Sequence, residues 1–313
     1  MLEIPLVLQN FNRIKDETVP VPFPFETIGE YHIDDAYSLL LKKEDLESLY
    51  PRMFRYKLAL LEKGRIVAQF RTNTYEYTPA LAINAETVTH ERFEYWREKI
   101  VANHDKFIEY LKRQEKIRKH VYKTLPNPGN DAVIIQGSPR PDGNCAVMAS
   151  WVMGKLNSIG MNSAVFYPSD MYIRPCSGCY QCYNYGRCVF LDDMTELYGA
   201  VKSASLVVIC SPVYTNTVPA PLKAVFDRFQ AYHAMNTLSK TKHSASGLFL
   251  STAGRKGMDN FSHVVPVADA FMAISGIKKR GQVLVDNLDQ MYDVRSIPGL
   301  RERVERKVAE CLK

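Results

Sequence analysis

The stretch "DAVIIQGSPRPDGNC", residues 131–145, sets a short apolar run directly before a turn rich in proline and glycine. The run is too short for a helix of its own, and its β-branched residues suit a strand. "CAVMASWVMGKLNSIG" follows as a helix that stops at glycine, and "NSAVFYP" as a second strand. "DDMTELYGAVKSA" predicts a helix that Asp193 and Glu196 open in capping-box spacing. "SLVVICSPVY" is a third strand, almost wholly apolar and therefore central, and "PAPLKAVFDRFQAY" a helix opened by prolines. "SASGLFLSTAG" predicts a fourth strand, residues 258–275 a helix, "GQVLVD" a fifth strand and "GLRERVERKVAECL" a closing helix. This alternation predicts a doubly wound α/β fold, a five-stranded parallel sheet covered by helices on both faces. It leaves the strand order open.

The run "TLPNPGN", residues 124–130, cannot continue a helix and marks a boundary. Residues 1–125 form a smaller α+β accessory domain, and residues 131–313 the α/β domain, with a cysteine-bearing loop at 174–190. In the first domain "DDAYSLLLKKEDLESLY" looks helical, and "YKLALLEKGRIVAQFRT" reads as two strands joined at Lys63-Gly64. Phe93, Trp96, Ile100, Phe107 and Leu111 recur at helical spacings and predict one long amphipathic helix from about Thr89. His90, His104 and His120 lie on or near it without the i, i+4 spacing of a metal pair.

Composition is that of an ordinary globular protein, 46% hydrophobic and 24% charged. No apolar run reaches the ~18 residues that span a bilayer. The start, "MLEIPLVLQNFNRIKD", lacks the basic opening of a signal peptide, so a cytoplasmic location without membrane association is expected. The net charge of +6 comes with no dense basic block beyond Lys278–Arg280, so a nucleic-acid partner is not expected.

The first loop of the α/β domain, "GSPRPDGNC", opens a helix at the sheet's carboxyl edge, where such folds bind ligands. It matches neither GxGxxG nor GxxxxGK[ST]. Ser138, Arg140, Gly143 and Asn144 with a helix amino terminus suit a monophosphate such as that of FMN. A plain turn uses the same residues. Cys145, at that terminus, is either a thiol of lowered pKa, a packing group or a weak donor to the phosphate. The third strand ends in Pro212, Val213, Tyr214, Thr215 and Asn216, where Tyr214 offers a flat face to a planar ring. The fourth ends in Thr252, Ala253 and Gly254, with Gly257 close behind. Three such loops would meet around one crevice.

"RPCSGCYQCYNYGRC", residues 174–188, holds Cys176, Cys179, Cys182 and Cys188. A structural zinc site splits its ligands into two separated pairs, whereas three thiolates within seven residues suit corners of an iron–sulfur cluster. Zinc and redox-active or free thiols remain the alternatives. Gly178 and Gly186 permit the tight turns. Cys210, in the apolar third strand, and Cys311, in the last helix, read as small buried hydrophobes.

Together these motifs resemble the iron–sulfur flavoproteins, a branch of the flavodoxin-like NAD(P)H-dependent FMN reductases. The resemblance covers roughly residues 131–313 and rests on "GSPRPDGNC", "CSGCYQCYNYGRC" followed by "DDM", and "SPVYTNTVPAPLKAVFDR". It implies strand order 2-1-3-4-5, FMN at the carboxyl edge and a 4Fe–4S cluster on the four cysteines. It also implies a homodimer or homotetramer, and electron transfer between a donor such as ferredoxin or NAD(P)H and an acceptor. Cys145 stands where the family commonly has threonine or serine, and residues 1–125 have no counterpart in its compact members. Two other functions fit the same fold: an NAD(P)H-dependent FMN or quinone reductase without a cluster, and a zinc-stabilised binding protein that is not an enzyme.

Overall fold

The computed structural model describes residues 23–78, 83–121, 129–241 and 243–313. The amino-terminal stretch read for a signal peptide and most of the boundary run lie outside these residues. The chain forms two compact units. Of the described residues, the first comprises those within Met1–Thr124, Gly178–Val189 and Ala234–Thr241, and the second those within Leu125–Ser177, Phe190–His233 and Lys242–Lys313. The middle of the cysteine loop, assigned above to the α/β domain, therefore groups with the first unit.

The first unit is built on an antiparallel meander of β1 (Phe25–His32), β2 (Tyr37–Asp45), β3 (Phe54–Glu62) and β4 (Arg65–Asn73). β3 and β4 join through Lys63 and Gly64, both at positive φ, as the sequence predicts. The segment expected to be a helix after Asp35 is instead strand β2. Leu39 and Leu41 face the helices while Leu40, Lys42 and Glu44 face the other way. Both faces of β2 are largely buried, so the alternation that marks a half-exposed strand is missing from its sequence. The expected long helix is two, α1 (Ala85–Ala102) and α2 (His104–Val121), broken at Asn103 with φ −154° and ψ 70°. Phe93, Trp96 and Ile100 of α1 and Ile108 and Leu111 of α2 pack on Leu39, Leu41, Leu58 and Leu60. Burial of each such side chain contributes about 1.5–3 kcal/mol before the entropy of ordering is set against it.

The second unit holds β5 (Ala132–Gln136), β6 (Ser163–Phe166), β7 (Leu206–Pro212), β8 (Ala245–Thr252) and β9 (Ile277–Val285). All neighbours are parallel, in the order β6-β5-β7-β8-β9. This is the flavodoxin-like 2-1-3-4-5 sheet, and β7, fully buried from Leu206 to Cys210, is its central strand. α3 (Asn144–Ser158) and α10 (Leu300–Cys311) pack against Ile134, Val208 and Leu250 on one face. Val133, Ile135, Val207 and Ile209 bury the opposite face. On that side α5 (Met194–Ser203) packs on β5 and α8 (Val264–Ile274) on β9. Phe226 of α6 (Ala220–Arg228) stacks on Phe271 of α8 at 4.2 Å.

Three local expectations change. The helix expected over residues 258–275 is a 3-10 turn, Met258–Phe261, followed by α8. The fifth strand starts four residues before "GQVLVD", at Ile277. Asp193 makes no capping bond to α5, because its Oδ2 accepts from Tyr172 N at 2.7 Å. Among the described residues no helix is long and apolar enough to cross a membrane.

Candidate functional site

β5 ends at Gly137, whose N–H donates to Cys210 O across the sheet at 2.8 Å. A Cβ there would meet Leu222 at 2.5 Å, so only glycine allows the chain to leave the strand this closely. The next residues turn tightly. Ser138 N donates to Gln136 Oε1 at 2.6 Å, Arg140 N to Ser138 Oγ at 3.2 Å and Gly143 N to Arg140 O at 3.3 Å. α3 starts directly after Gly143 with no side-chain cap. The first N–H groups of a helix have no intrahelical acceptor, so this terminus is open to an anion. Arg140 is exposed at the same turn and, among the described residues, makes no ion pair.

β7 delivers the second loop. Tyr214 and Thr217 exchange both backbone hydrogen bonds, at 2.8 and 3.0 Å, around Thr215 (φ 47°) and Asn216 (φ 62°). Left-handed backbone is unfavourable for a β-branched threonine, and such strain gathers at functional loops. Val213 N donates to Thr252 O at 2.8 Å, tying this loop to the end of β8.

A cavity of about 1000 Å³ opens between these loops. It lies at the top of the roughly 300–1,000 Å³ range typical of ligand and cofactor sites. Thirteen of the fourteen residues singled out for a flavin border it, from Ser138 to Cys145, Pro212 to Asn216 and Thr252 to Gly254. Gly257 does not. Its N–H donates to Asp286 Oδ2 at 2.5 Å.

Two details differ from expectation. The Asn144 side chain is already spent within the protein, donating to Tyr292 O and accepting from Val294 N, each at 3.0 Å. What Asn144 can still offer an anion is its backbone N–H. Cys145 is buried, and burial pushes its thiol up to about 12, with a 3.3 Å contact to Thr252 Oγ1 pulling the other way. Desolvation outweighs the helix terminus, and the group stays a neutral thiol at physiological pH.

A fourth wall was not legible in the sequence. Leu288, Asp289, Tyr292, Asp293 and Arg295, after β9, also border the cavity. Their loop is stitched to the β8 loop by Asn287 N to Arg255 O, Leu288 N to Ala253 O and Asp289 N to Gly254 O, at 2.9–3.1 Å. Asp289 lies so close over Gly254 that a Cβ at 254 would run into its carboxylate. "NLDQMYDVRS" carries no glycine or phosphate pattern, and only its Asn and Asp residues hinted at a turn.

The NADPH-dependent FMN reductase family matches residues 131–295, slightly more than half of the sequence. The chain belongs to that family. This family member is also similar to curated iron-sulfur flavoproteins over part of its length. It is 32% identical to one from Methanosarcina thermophila over 39% of this chain and 62% of that one. Against one from Archaeoglobus fulgidus the figures are 36%, 40% and 56%, and against one from Methanocaldococcus jannaschii 34%, 30% and 49%. The chain thus spans about half to three fifths of the length of these relatives.

The family member's cysteine segment turns sharply, with Gly178, Tyr180 and Gly186 all at positive φ. Cys176 is exposed, Cys182 is buried, Cys179 and Cys188 lie between, and none is in a disulfide. Four cysteines in a tight loop fit a soft metal group in kind. Among the described residues, however, no three cysteine, histidine or acidic side chains are gathered into a ligand set.

Proposed function

We propose that this chain is a flavin-dependent oxidoreductase that binds FMN in the cavity at the carboxyl edge of its parallel sheet. The observation that carries the reading is the convergence of three sequence-distant loops on one cavity that begins at an uncapped helix terminus. The backbone N–H groups of Asn144, Cys145 and Ala146, with Arg140, would hold the phosphate. Among the described residues the N–H groups of Thr215, Asn216 and Gly254 have no protein acceptor, and they would address the polar edge of the ring. Tyr214, 41% exposed, would cover an apolar face. The flavin supplies the electron chemistry, passing one or two electrons, and the protein binds, orients and shields it.

The four cysteines, Cys176, Cys179, Cys182 and Cys188, are proposed as thiolate ligands of an iron–sulfur group of the 4Fe–4S type. Support comes from their spacing and the similarity to proteins named iron-sulfur flavoproteins. A homo-oligomer and a ferredoxin-like or NAD(P)H donor belong to the same proposal. The ungathered thiols favour a second reading, an NAD(P)H-dependent FMN or quinone reductase without a cluster.

Cofactor analysis of protein purified without oxygen tests both. About one FMN, four iron and four sulfide per chain are expected. FMN without iron would leave the second reading standing, and protein without flavin would overturn both.

A further inference from the structure

Between Cys182 and Cys188 the chain makes a single helical turn, α4 (Cys182–Tyr185), closed by Gly186 at φ 68°. Within the first unit this turn is gripped by residues of β3 and β4. Arg55 Nη1 donates to Tyr183 O at 3.0 Å and Asn184 O at 3.3 Å, and Arg71 Nη1 donates to Asn184 O at 2.9 Å. These are carbonyls that so short a helix cannot satisfy itself, at the end where its dipole favours positive charge. Glu44 orients Arg55 from behind, accepting from Nε at 2.6 Å.

The side chain of Asn184 is enclosed just as fully. Its Oδ1 accepts from Asn73 Nδ2 at 2.7 Å, and its Nδ2 donates to Glu76 Oε1 at 2.7 Å and Arg71 O at 3.4 Å. Asn73 Nδ2 also donates to Tyr180 O at 3.2 Å. Tyr183 packs edge-on against Tyr50 at 5.1 Å and donates its hydroxyl to Tyr50 Oη at 2.9 Å. Arg55, Arg71, Asn73 and Asn184 are all buried. Burying two guanidinium groups is costly unless geometry and partners are nearly complete. Simple adhesion would be better served by apolar contacts, so the network's contribution is a fixed position for the turn.

We propose that the amino-terminal sheet is a preformed socket for the Tyr180–Gly186 stretch, making Arg55, Arg71 and Asn73 positioning residues for Cys182 and its neighbouring thiols. The guanidinium charge in the socket raises the reduction potential of the iron–sulfur group those thiols hold, because cluster potentials follow nearby charge and hydrogen bonding. This second half rests on the ligand reading above.

The test uses the full chain, prepared without oxygen, as wild type, Arg71→Gln, Arg71→Lys and Asn73→Ser. FMN content serves as the folding control, because every residue bordering the cavity lies in the second unit. Hydrogen exchange at residues 180–186 is measured on metal-free protein, followed by iron content and an electron-paramagnetic-resonance redox titration. Arg71→Gln should speed exchange about ten- to hundredfold and shift the cluster potential downward. Arg71→Lys should retain the wild-type potential. Asn73→Ser, which spares both guanidinium groups, should speed exchange and lower iron content without moving the potential of the clusters that form. Unchanged exchange in Arg71→Gln and Asn73→Ser overturns the socket, and an unchanged potential in Arg71→Gln overturns the charge effect. An iron-free wild type removes the charge effect together with the ligand reading, and exchange alone then decides the socket.

Discussion

The Asp192 carboxylate takes two charge-assisted hydrogen bonds from Arg228, from Nη1 at 2.5 Å and Nη2 at 2.9 Å, with both side chains buried. The same two residues hold Arg174, the residue that opens the cysteine loop. Its N–H donates to Asp192 Oδ2 at 3.1 Å, and its carbonyl accepts from Arg228 Nη1 at 2.6 Å. Asp192→Asn keeps the shape but strands a buried guanidinium charge. The second unit should lose about 3–5 kcal/mol. Urea unfolding measures it, and a loss under about 1 kcal/mol would contradict the role given to this pair.

Glu44 predicts an acid dependence in the first unit. Burial raises its carboxyl, but the Arg55, Lys57 and Arg71 charges and the Arg55 hydrogen bond outweigh that and hold it at about 2, against an ordinary 4.5. A depressed carboxylate contributes stability that is complete above about 4.5 and is lost as pH falls toward about 2. The contribution is at most about 3 kcal/mol. Stability of wild type and Glu44→Gln should converge between pH 5 and pH 2, and parallel curves over that window would count against the assignment.

Cys145 should be inert in the native protein. With its thiol near 12, only about one molecule in ten thousand is thiolate at pH 8. Brief iodoacetamide treatment of metal-free, folded protein should modify exposed Cys176 and spare Cys145, and unfolding should make Cys145 reactive. Mass spectrometry reads the outcome. Equal labelling of the two in the native state would show that the desolvation argument fails.

The fourth wall of the cavity gives a binding prediction. Gly254→Ala forces the Asp289 carboxylate away from its seat, and Asn144→Ala cuts the strap to Tyr292 and Val294. Each should weaken FMN about ten- to hundredfold at a stability cost near 1 kcal/mol. Fluorescence titration of stripped protein with FMN checks this, and wild-type affinity in both variants would remove the β9 loop from the site.

Legibility followed the range of the interactions. The strands of the second unit were plain, the basic start of β9 apart, because their apolar runs stand next to turn residues. β2 was misread because "YSLLLKK" is buried on both faces, which erases the period of two. β1, "FETIGEYH", carries so little apolar signal that only pairing with β2 makes it a strand. The break at Asn103 was invisible because the apolar spacing runs through it.

The candidate site divides the same way. The loops after β5, β7 and β8 announced themselves by turn residues next to strand ends. The β9 loop did not, because it is held at the cavity through bonds to Asn144, Ala253, Gly254 and Arg255, more than thirty residues away in sequence. For Cys145 the sequence left a thiol of lowered pKa, a packing group and a weak phosphate donor open, and burial excluded the first.

Taken by itself, the sequence determined the α/β alternation, the central place of β7, the three cavity loops and the clustering of four thiols. All of these are written in neighbouring residues, where periodicity and turn chemistry act. The tertiary structure decided the strand order, the β-structure of residues 37–45, the state of Cys145 and the grip of Arg55, Arg71 and Asn73 on Tyr180, Tyr183 and Asn184. Arg55 and Tyr183 stand 128 residues apart. No local pattern encodes a contact at that separation, because its free energy exists only once two strands and a turn have been brought together.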